Sequence, residues 1–182
     1  MIAPHEGSDA PARIDWPAQI HEALRAWEVR QVGYVPDAGH SRLIERCHAD
    51  PQMVTTVLTT EEEGVALLAG AWLGGQRGVL LMQSSGVGNC INMFSLLKSC
   101  RMPLVAIVTM RGEWGEFNPW QIPMGSTTPR SLELAGLATY RVEREELVRE
   151  TVEVALGCAY DTHCPSAVIL SQRMLGRKKW TD

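Results

Sequence analysis

Short apolar runs of strand length alternate with segments of helical periodicity along most of the chain. Apolar residues recur every three or four positions in the helical segments, whereas the strand-like runs are continuously apolar or alternate with a period of two. Strands that alternate with helices form a parallel sheet covered by helices. The pattern therefore predicts an α/β fold of three layers, αβα, around a six-stranded parallel sheet. The predicted strands are residues 31–35, 53–58, 78–83, 103–109, 139–142 and 166–170.

Local signals mark where several helices begin. Asp15 is a favourable N-cap residue, and Pro17 lies in the first turn that would follow it. Thr60 and Glu63 have the spacing of a capping box, which predicts a helix that begins there and ends at residues 74–75. Further helices are predicted around residues 43–47, after residue 89, and over residues 131–137 and 145–160.

Two segments lack a clear period. Residues 84–89, Ser-Ser-Gly-Val-Gly-Asn, predict a glycine-rich turn between a strand and a helix. Residues 111–129 contain three glycines and three prolines and predict a long loop. Loops of that length inside a compact domain are commonly functional.

The composition indicates one globular domain. A chain of 182 residues has the length of a single domain. We predict a flexible N-terminus over residues 1–13, a domain over 14–172 and a tail over 173–182. Lys and Arg total 17 against 21 for Asp and Glu, a net charge of −4, so no nucleic-acid partner is expected.

The cysteine pattern points to a reducing compartment. The chain has five cysteines, an odd number, and no Cys-x-x-Cys pair, so neither a disulfide framework nor a structural zinc site is expected. No other metal-ligand cluster stands out. The N-terminal residues lack the basic start and apolar run of a signal peptide, and no apolar stretch is long enough for a bilayer. We therefore expect a cytoplasmic protein that does not contact membranes.

Four loops at the predicted carboxyl ends of the strands are candidates for chemistry, because ligands of open α/β sheets bind there. Residues 84–89 match neither the phosphate-binding P-loop nor the dinucleotide fingerprint, so they are either a close backbone approach to a flat ligand or a simple tight turn. The three glutamates 61–63 would stabilise a helix N-terminus in any case. His40, in a loop, is expected to be solvated. The four stretches are residues 35–40, 60–64, 84–89 and 111–113.

The four stretches together carry a resemblance. They are Val-Pro-Asp at 35–37, Thr-Glu-Glu-Glu-Gly at 60–64 with Ala-Gly at 69–70, Met-Gln-Ser-Ser-Gly-Val-Gly-Asn at 82–89, and Arg-Gly-Glu at 111–113. In order and spacing they resemble the pyrimidine-binding domain of thiamine diphosphate-dependent 2-oxoacid decarboxylases. Within this superfamily, the 82–89 run most resembles the sulfopyruvate and phosphonopyruvate decarboxylases. The resemblance to the alpha subunit of sulfopyruvate decarboxylase extends over residues 14–172.

The resemblance implies a six-stranded parallel sheet and a set of cofactor contacts. Glu61, nine residues before Gly70, would hydrogen-bond the pyrimidine N1′ atom, in a dry pocket that raises its pKa. The remaining residues implied to line the pyrimidine pocket are Pro36, Ser85, Gly86, Val87 and Asn89.

The resemblance also implies substrate contacts. Asp37 corresponds to an acidic residue near the reacting carbon, as proton donor or orienting group. Arg111 would bind the second anion of a sulfonate or phosphonate substrate, and His40 is a further candidate for substrate binding. The alternative for Arg111 is a surface ion pair with Glu113 or Glu116.

The chain lacks the Gly-Asp-Gly motif with which this superfamily holds the cofactor's diphosphate through Mg2+. The resemblance therefore implies a separate beta subunit that carries this motif and the Mg2+, in an obligate hetero-oligomer such as α2β2. Trp114 and Trp120 are candidate interface aromatics.

The function implied is decarboxylation of 3-sulfopyruvate to sulfoacetaldehyde and CO2 by the alpha subunit together with its partner. Two alternatives stay open. One is a subunit that acts on phosphonopyruvate or another 2-oxoacid, and the other is a non-catalytic domain that keeps the fold.

Overall fold

A six-stranded, all-parallel sheet forms the centre of the computed structural model, which describes residues 14–177. The strand order is β2-β1-β3-β4-β6-β5, so β2 and β5 are the edges. All six strands begin and end within two residues of their predicted bounds, and the predicted three-layer fold is confirmed. The strands are β1 (Val29–Tyr34), β2 (Val54–Val57), β3 (Arg77–Gln83), β4 (Val105–Thr109), β5 (Ala138–Val142) and β6 (Ser166–Leu170).

Helices cover both faces of this sheet and enclose two apolar cores. Helices α1, α2 and α7 pack on one face, and α3 to α6 pack on the other. Along the described chain the helices are α1 (Trp16–Ala26), α2 (Ser41–Ala49), α3 (Glu61–Leu73), α4 (Ser84–Cys90), α5 (Ser95–Cys100), α6 (Ile122–Leu134), α7 (Val148–Thr162) and α8 (Gln172–Leu175), with short 3-10 helices at Pro119–Gln121 and Glu145–Leu147.

The helix start at Asp15 is confirmed, and the start at Thr60 is confirmed with a different cap. The Asp15 carboxylate accepts a hydrogen bond from the Ala18 N–H at 3.2 Å. Thr60 is the N-cap of α3, but its side chain makes no capping hydrogen bond. Glu63 Oε2 accepts a hydrogen bond at 2.8 Å from the N–H of Thr59, the residue before the N-cap, so neither bond of a capping box is formed.

The two segments without a clear period were predicted wrongly. Residues 84–89 are not a turn, because α4 begins at Ser84, directly after β3. The predicted loop 111–129 ends early, because α6 begins at Ile122 and contains Pro129, so the helix predicted over 131–137 is only the end of α6. Packing of α4 and α6 against each other and the sheet offsets the low helix propensity of Gly and Pro.

The chain ends bear on the predicted boundaries. Helix α8 reaches Leu175 and so enters the predicted tail. Residues 1–13, predicted to be flexible, and residues 178–182 lie outside the described residues. Between residues 14 and 177, no helix combines the length and the apolar character needed to cross a bilayer.

Gly64 sets how closely α3 approaches the sheet. A Cβ atom at this position would overlap Leu80 Cδ1 and would lie 2.8 Å from Leu58 Cδ1, and both leucines are buried. Since Gly64 follows Glu61 by one helical turn, this close packing also fixes where the start of α3 lies relative to the strands.

We predict that Gly64→Ala destabilises the chain by about 1–3 kcal/mol, because the added methyl group overpacks a filled core. Gly70→Ala in the same helix is the control. Apart from chain neighbours and the backbone of α3 itself, no atom of the described residues lies within 4 Å of a Cβ at Gly70, so this variant should gain up to about 1 kcal/mol from helix propensity. Urea unfolding measures both, and equal stability of the two variants would contradict the role given to Gly64.

Candidate functional site

Polar side chains converge at the carboxyl edge of the sheet, where β1, β3 and β4 end. Helix α2 follows β1 on one face, and α4 follows β3 on the opposite face. Neighbouring strands whose connections diverge in this way leave a crevice between their carboxyl ends, the usual ligand site of an open α/β sheet. Asp37, Gln83 and Thr109 all lie at this edge.

Glu61, the first residue of α3, places a buried carboxyl group against α4. Its side chain packs on the backbone of Gly86, where a Cβ atom would overlap the carboxyl group. Asn89 donates a hydrogen bond from Nδ2 to Glu61 Oε2 at 2.8 Å. No described residue hydrogen-bonds Oε1. The described residues thus fix one oxygen of this buried carboxyl group by a hydrogen bond and leave the other without one.

The neighbouring glutamates differ from Glu61. Glu62 and Glu63 are exposed, whereas Glu61 is only 7% exposed. Burial raises the pKa of the nearby Cys90 thiol to about 12, and the charges of Glu61 and Glu62 add to this effect. Cys90 is therefore a neutral thiol beside the carboxyl group, and not a nucleophile.

Asp37, in the loop after β1, accepts hydrogen bonds from three donors. Thr109 donates to Oδ2 at 2.6 Å, Gln83 donates to Oδ1 at 2.9 Å, and the Gly39 N–H donates to Oδ2 at 3.1 Å. Both carboxylate oxygens are therefore held by the ends of β3 and β4 and by their own loop.

His40 is fully buried at the start of α2, so the expectation of a solvated loop histidine is wrong. Its Nε2 atom hydrogen-bonds the Ile107 carbonyl oxygen at 3.0 Å, and Nδ1 has no hydrogen-bond partner within residues 14–177. Burial lowers the pKa of His40, against the opposing effect of the Asp37 charge. The ring is thus a neutral imidazole with no exposed surface, and its contact with substrate stays a prediction.

Arg111, after β4, pairs with Glu116 and not with Glu113. Its Nε and Nη2 atoms donate to the Glu116 carboxylate at 2.6 and 2.5 Å, and the pair is buried, unlike the surface pair that we considered. The Arg111 guanidinium lowers the pKa of Glu116 to about 2. Glu113 instead accepts two hydrogen bonds from Arg141 at 2.9 and 3.0 Å.

The predicted residues divide into those that meet and those that do not. Glu61, Gly86 and Asn89 are in direct contact. Ser85 bonds Gln83 Oε1 at 3.1 Å and so joins the Asp37 network. Val87 is fully buried in the apolar core, and Pro36 is exposed on the loop.

Three residues of the site were not predicted: Gln83, Thr109 and Glu116. Gln83 and Thr109 each follow a run of at least four apolar residues as the polar last residue of a strand, a signal that the sequence contains. Glu116 was considered only as an alternative partner of Arg111. It accepts five hydrogen bonds from its own loop and one from Gln172 in α8, which could not be inferred from spacing.

Comparison with known families gives the site its context. Residues 16–117 match the family described as thiamine pyrophosphate enzyme, N-terminal TPP binding domain, and this range includes every site residue described above. The chain belongs to this family. The resemblance inferred from the motifs is therefore confirmed, since thiamine pyrophosphate is thiamine diphosphate.

Curated relatives support the same family. The chain is 32% identical over 151 residues to "Sulfopyruvate decarboxylase subunit alpha" of Methanocaldococcus jannaschii. This alignment covers 82% of the chain and 89% of that protein. It is 38% identical over 122 residues to "Phosphonopyruvate decarboxylase" of Streptomyces viridochromogenes, over 66% of this chain and 31% of that protein. The second relative is thus about three times as long as the matched part.

A solved structure shares the fold. The 2-oxoglutarate:ferredoxin oxidoreductase of Magnetococcus marinus superposes with a TM-score of 0.69 over 98% of this chain and 33% of that one, at 11% identity. At this identity the likeness concerns the fold alone.

The residues present fit the pyrimidine half of thiamine diphosphate. The missing Cβ of Gly86 lets the Glu61 carboxyl group lie directly against the backbone of α4, which is where a flat heterocycle bound to that carboxyl group would meet the chain. A ring nitrogen needs a carboxyl partner, and Glu61 Oε1 has no hydrogen bond from the described residues. Among residues 14–177 no group of three or more His, Cys, Asp or Glu side chains is placed to hold a metal ion.

We predict that Glu116→Gln lowers the free energy of unfolding by about 3 kcal/mol at pH 7, because it breaks a buried, multiply bonded ion pair. The pKa of Glu116 lies near 2 when folded and near its ordinary 4.5 when unfolded. The ionised Glu116 carboxylate therefore stabilises the folded state fully above pH 4.5, and this contribution is lost as the pH falls towards 2. The stability difference between wild type and variant should shrink over this range.

Glu143→Gln is the matched control, since Glu143 is 67% exposed and bonds Arg141 at 3.1 Å. It should change stability by no more than about 0.5 kcal/mol. Urea unfolding at several pH values measures both variants. Similar losses for the two would contradict the buried role of Glu116.

Proposed function

We propose that this chain is the pyrimidine-binding, alpha subunit of a thiamine diphosphate-dependent 2-oxoacid decarboxylase. The observation that carries the proposal is the buried Glu61 carboxyl group, held on one oxygen by Asn89 and packed on the Cβ-free surface of Gly86. Thiamine diphosphate supplies the electron sink that the loss of CO2 requires. Glu61 holds a proton at Oε1 towards the pyrimidine ring, and Asn89 fixes the orientation of the carboxyl group.

The substrate that we propose is 3-sulfopyruvate, which would give sulfoacetaldehyde and CO2. The name of the Methanocaldococcus relative and its coverage of most of both chains support this choice. Arg111 is the residue proposed to bind the sulfonate. Glu116 occupies its Nε and Nη2 atoms, and no described residue accepts a hydrogen bond from Nη1. His40 stays a proposed neighbour of the substrate, and Asp37 the group that orients or protonates at the reacting carbon.

Phosphonopyruvate is the second candidate substrate, because a relative named for it is 38% identical. A phosphonate carries up to one more negative charge than a sulfonate, so the two acids differ in what Arg111 must neutralise. Comparing kcat/KM for the two acids and for pyruvate separates the candidates.

We also propose that the active site is completed by a beta subunit that holds the diphosphate through Mg2+. The name of the Methanocaldococcus relative, which calls it a "subunit alpha", supports a partner. Trp114 and Trp120 are exposed near the site, at 44% and 70%, and are proposed to face this partner.

We predict that Glu61→Gln lowers kcat by at least about 100-fold in the complex with the partner subunit, because the amide cannot share a proton with the ring nitrogen. Glu62→Gln is the control, since Glu62 is exposed and lies one residue along the same helical turn. It should keep kcat within about threefold. Release of CO2 from 3-sulfopyruvate measures both variants. Wild-type turnover by Glu61→Gln would refute the role of Glu61, and a wild-type complex inactive on every 2-oxoacid would favour a non-catalytic domain.

We predict that the purified chain alone releases no CO2 from 3-sulfopyruvate with thiamine diphosphate and Mg2+ present, and that adding the partner subunit restores turnover. The physical reason is that the chain has no Gly-Asp-Gly motif with which to hold the diphosphate through Mg2+. Titration of the partner at constant chain concentration should saturate at a fixed ratio. Full turnover by the chain alone would contradict partner dependence.

A further inference from the structure

The Asp37 carboxylate is held by two side chains that no other role explains. Thr109, the last residue of β4, donates its hydroxyl to Oδ2 at 2.6 Å, and Gln83, the last residue of β3, donates Nε2 to Oδ1 at 2.9 Å. Hydrogen bonds to an ionised acceptor are short and strong. Because both donors belong to central strands, they fix the carboxylate relative to the sheet and not merely to its own loop.

The two donors are themselves oriented. Ser85 donates its hydroxyl to Gln83 Oε1 at 3.1 Å, which turns the amide nitrogen of Gln83 towards Asp37. Thr109 is 2% exposed, and its hydroxyl lies 3.5 Å from the Met82 carbonyl oxygen, so its single proton goes to the closer carboxylate.

The loop leaves the carboxylate little room to move. A Cβ atom on Gly39 would lie 2.8 Å from Asp37 Oδ2 and 2.9 Å from Thr109 Cγ2, so the loop backbone closes over the hydrogen bond between them. The backbone of the same loop is fixed as well, because the N–H of buried His40 donates to the Asp37 carbonyl oxygen at 3.1 Å. The described residues thus hold both the side chain and the backbone of Asp37 by hydrogen bonds.

We propose that Thr109 and Gln83 are positioning residues, which hold the Asp37 carboxylate in the orientation that the reaction needs. This inference rests on the proposed function of Asp37. Reacting groups must be held to within about 0.5 Å, and losing one anchor lets a carboxylate rotate and take up water. Thr109 has the larger effect, because its bond is shorter and its side chain is more deeply buried.

The test uses Thr109→Val, which keeps the side-chain shape and removes the donor, and Thr109→Ser, which keeps the donor. In the complex with the partner subunit, Thr109→Val should lower kcat about 10- to 100-fold with KM within about threefold, and Thr109→Ser should recover most of kcat. Gln83→Leu should show a smaller loss of the same kind. Equal impairment of the Val and Ser variants would overturn the proposal, because packing and not the hydroxyl would then be responsible.

Thr139→Val is the matched control. Thr139 is also a strand threonine whose hydroxyl donates to a carboxylate, Glu133 Oε1, at 2.9 Å, but it lies on the edge strand β5. It should leave kcat unchanged. A loss of kcat equal to that of Thr109→Val would overturn the proposal.

A double-mutant cycle in the full chain keeps the test independent of turnover. If Thr109 acts through Asp37, urea unfolding of Thr109→Val, Asp37→Asn and the double variant should show coupling of about 5- to 10-fold in the unfolding constant. In the active complex, Thr109→Val should cause no further loss of kcat on the Asp37→Asn background. Additive effects in the unfolding cycle overturn the inference whatever the reaction is, whereas coupling without any decarboxylation would refute only the proposed function.

Discussion

The site depends on one close contact, in which the Glu61 carboxyl group packs directly on the backbone of Gly86. This contact requires α3 and α4 to start side by side at the carboxyl edge of the sheet. Gly64 makes that approach possible one turn further along α3, where a side chain would overlap Leu80. Asn89, one turn after Gly86 on α4, then reaches the carboxyl group. A buried carboxyl with one oxygen held is the consequence of backbone packing in two helices.

The second group of charges is anchored differently. Asp37 is bound by the polar last residues of β3 and β4, and Arg111 is bound by Glu116 in the segment that follows β4. In both networks a charged group is fixed by several hydrogen bonds, which limits the cost of partial burial. The α3–α4 contact thus buries one carboxyl group, and the strand ends hold a carboxylate and a guanidinium at the same edge of the sheet. Under the proposed function, the Glu61 carboxyl group would meet the pyrimidine ring and the Arg111 guanidinium would meet the anionic substrate.

Much of the fold and part of the site could be predicted from the sequence. Short apolar or alternating runs identified all six strands, and the capping spacing at Thr60 located the start of α3. The family resemblance, counted back from Gly70, singled out Glu61. Residues 84–90 were not recognised as a helix, because Gly86 and Gly88 have low helix propensity and the helix depends on packing against α6. Helix α6 was not recognised for a similar reason, because it contains Pro129 and proline is disfavoured inside helices. The burial of His40 and the hydrogen bonds of Gln83 arise where strands that are far apart in the sequence become neighbours in the sheet. The local sequence pattern does not encode such contacts.

The central claim is that Glu61 and α4 form the pyrimidine site. The most direct measurement is a high-resolution crystal structure of the chain with its partner subunit and thiamine diphosphate. The account predicts a pyrimidine ring nitrogen within about 2.7–3.2 Å of Glu61 Oε1, with the ring near Gly86 and the Asn89 bond retained. A pyrimidine ring bound away from Glu61, with that carboxyl group contacting only Asn89 and water, would contradict it.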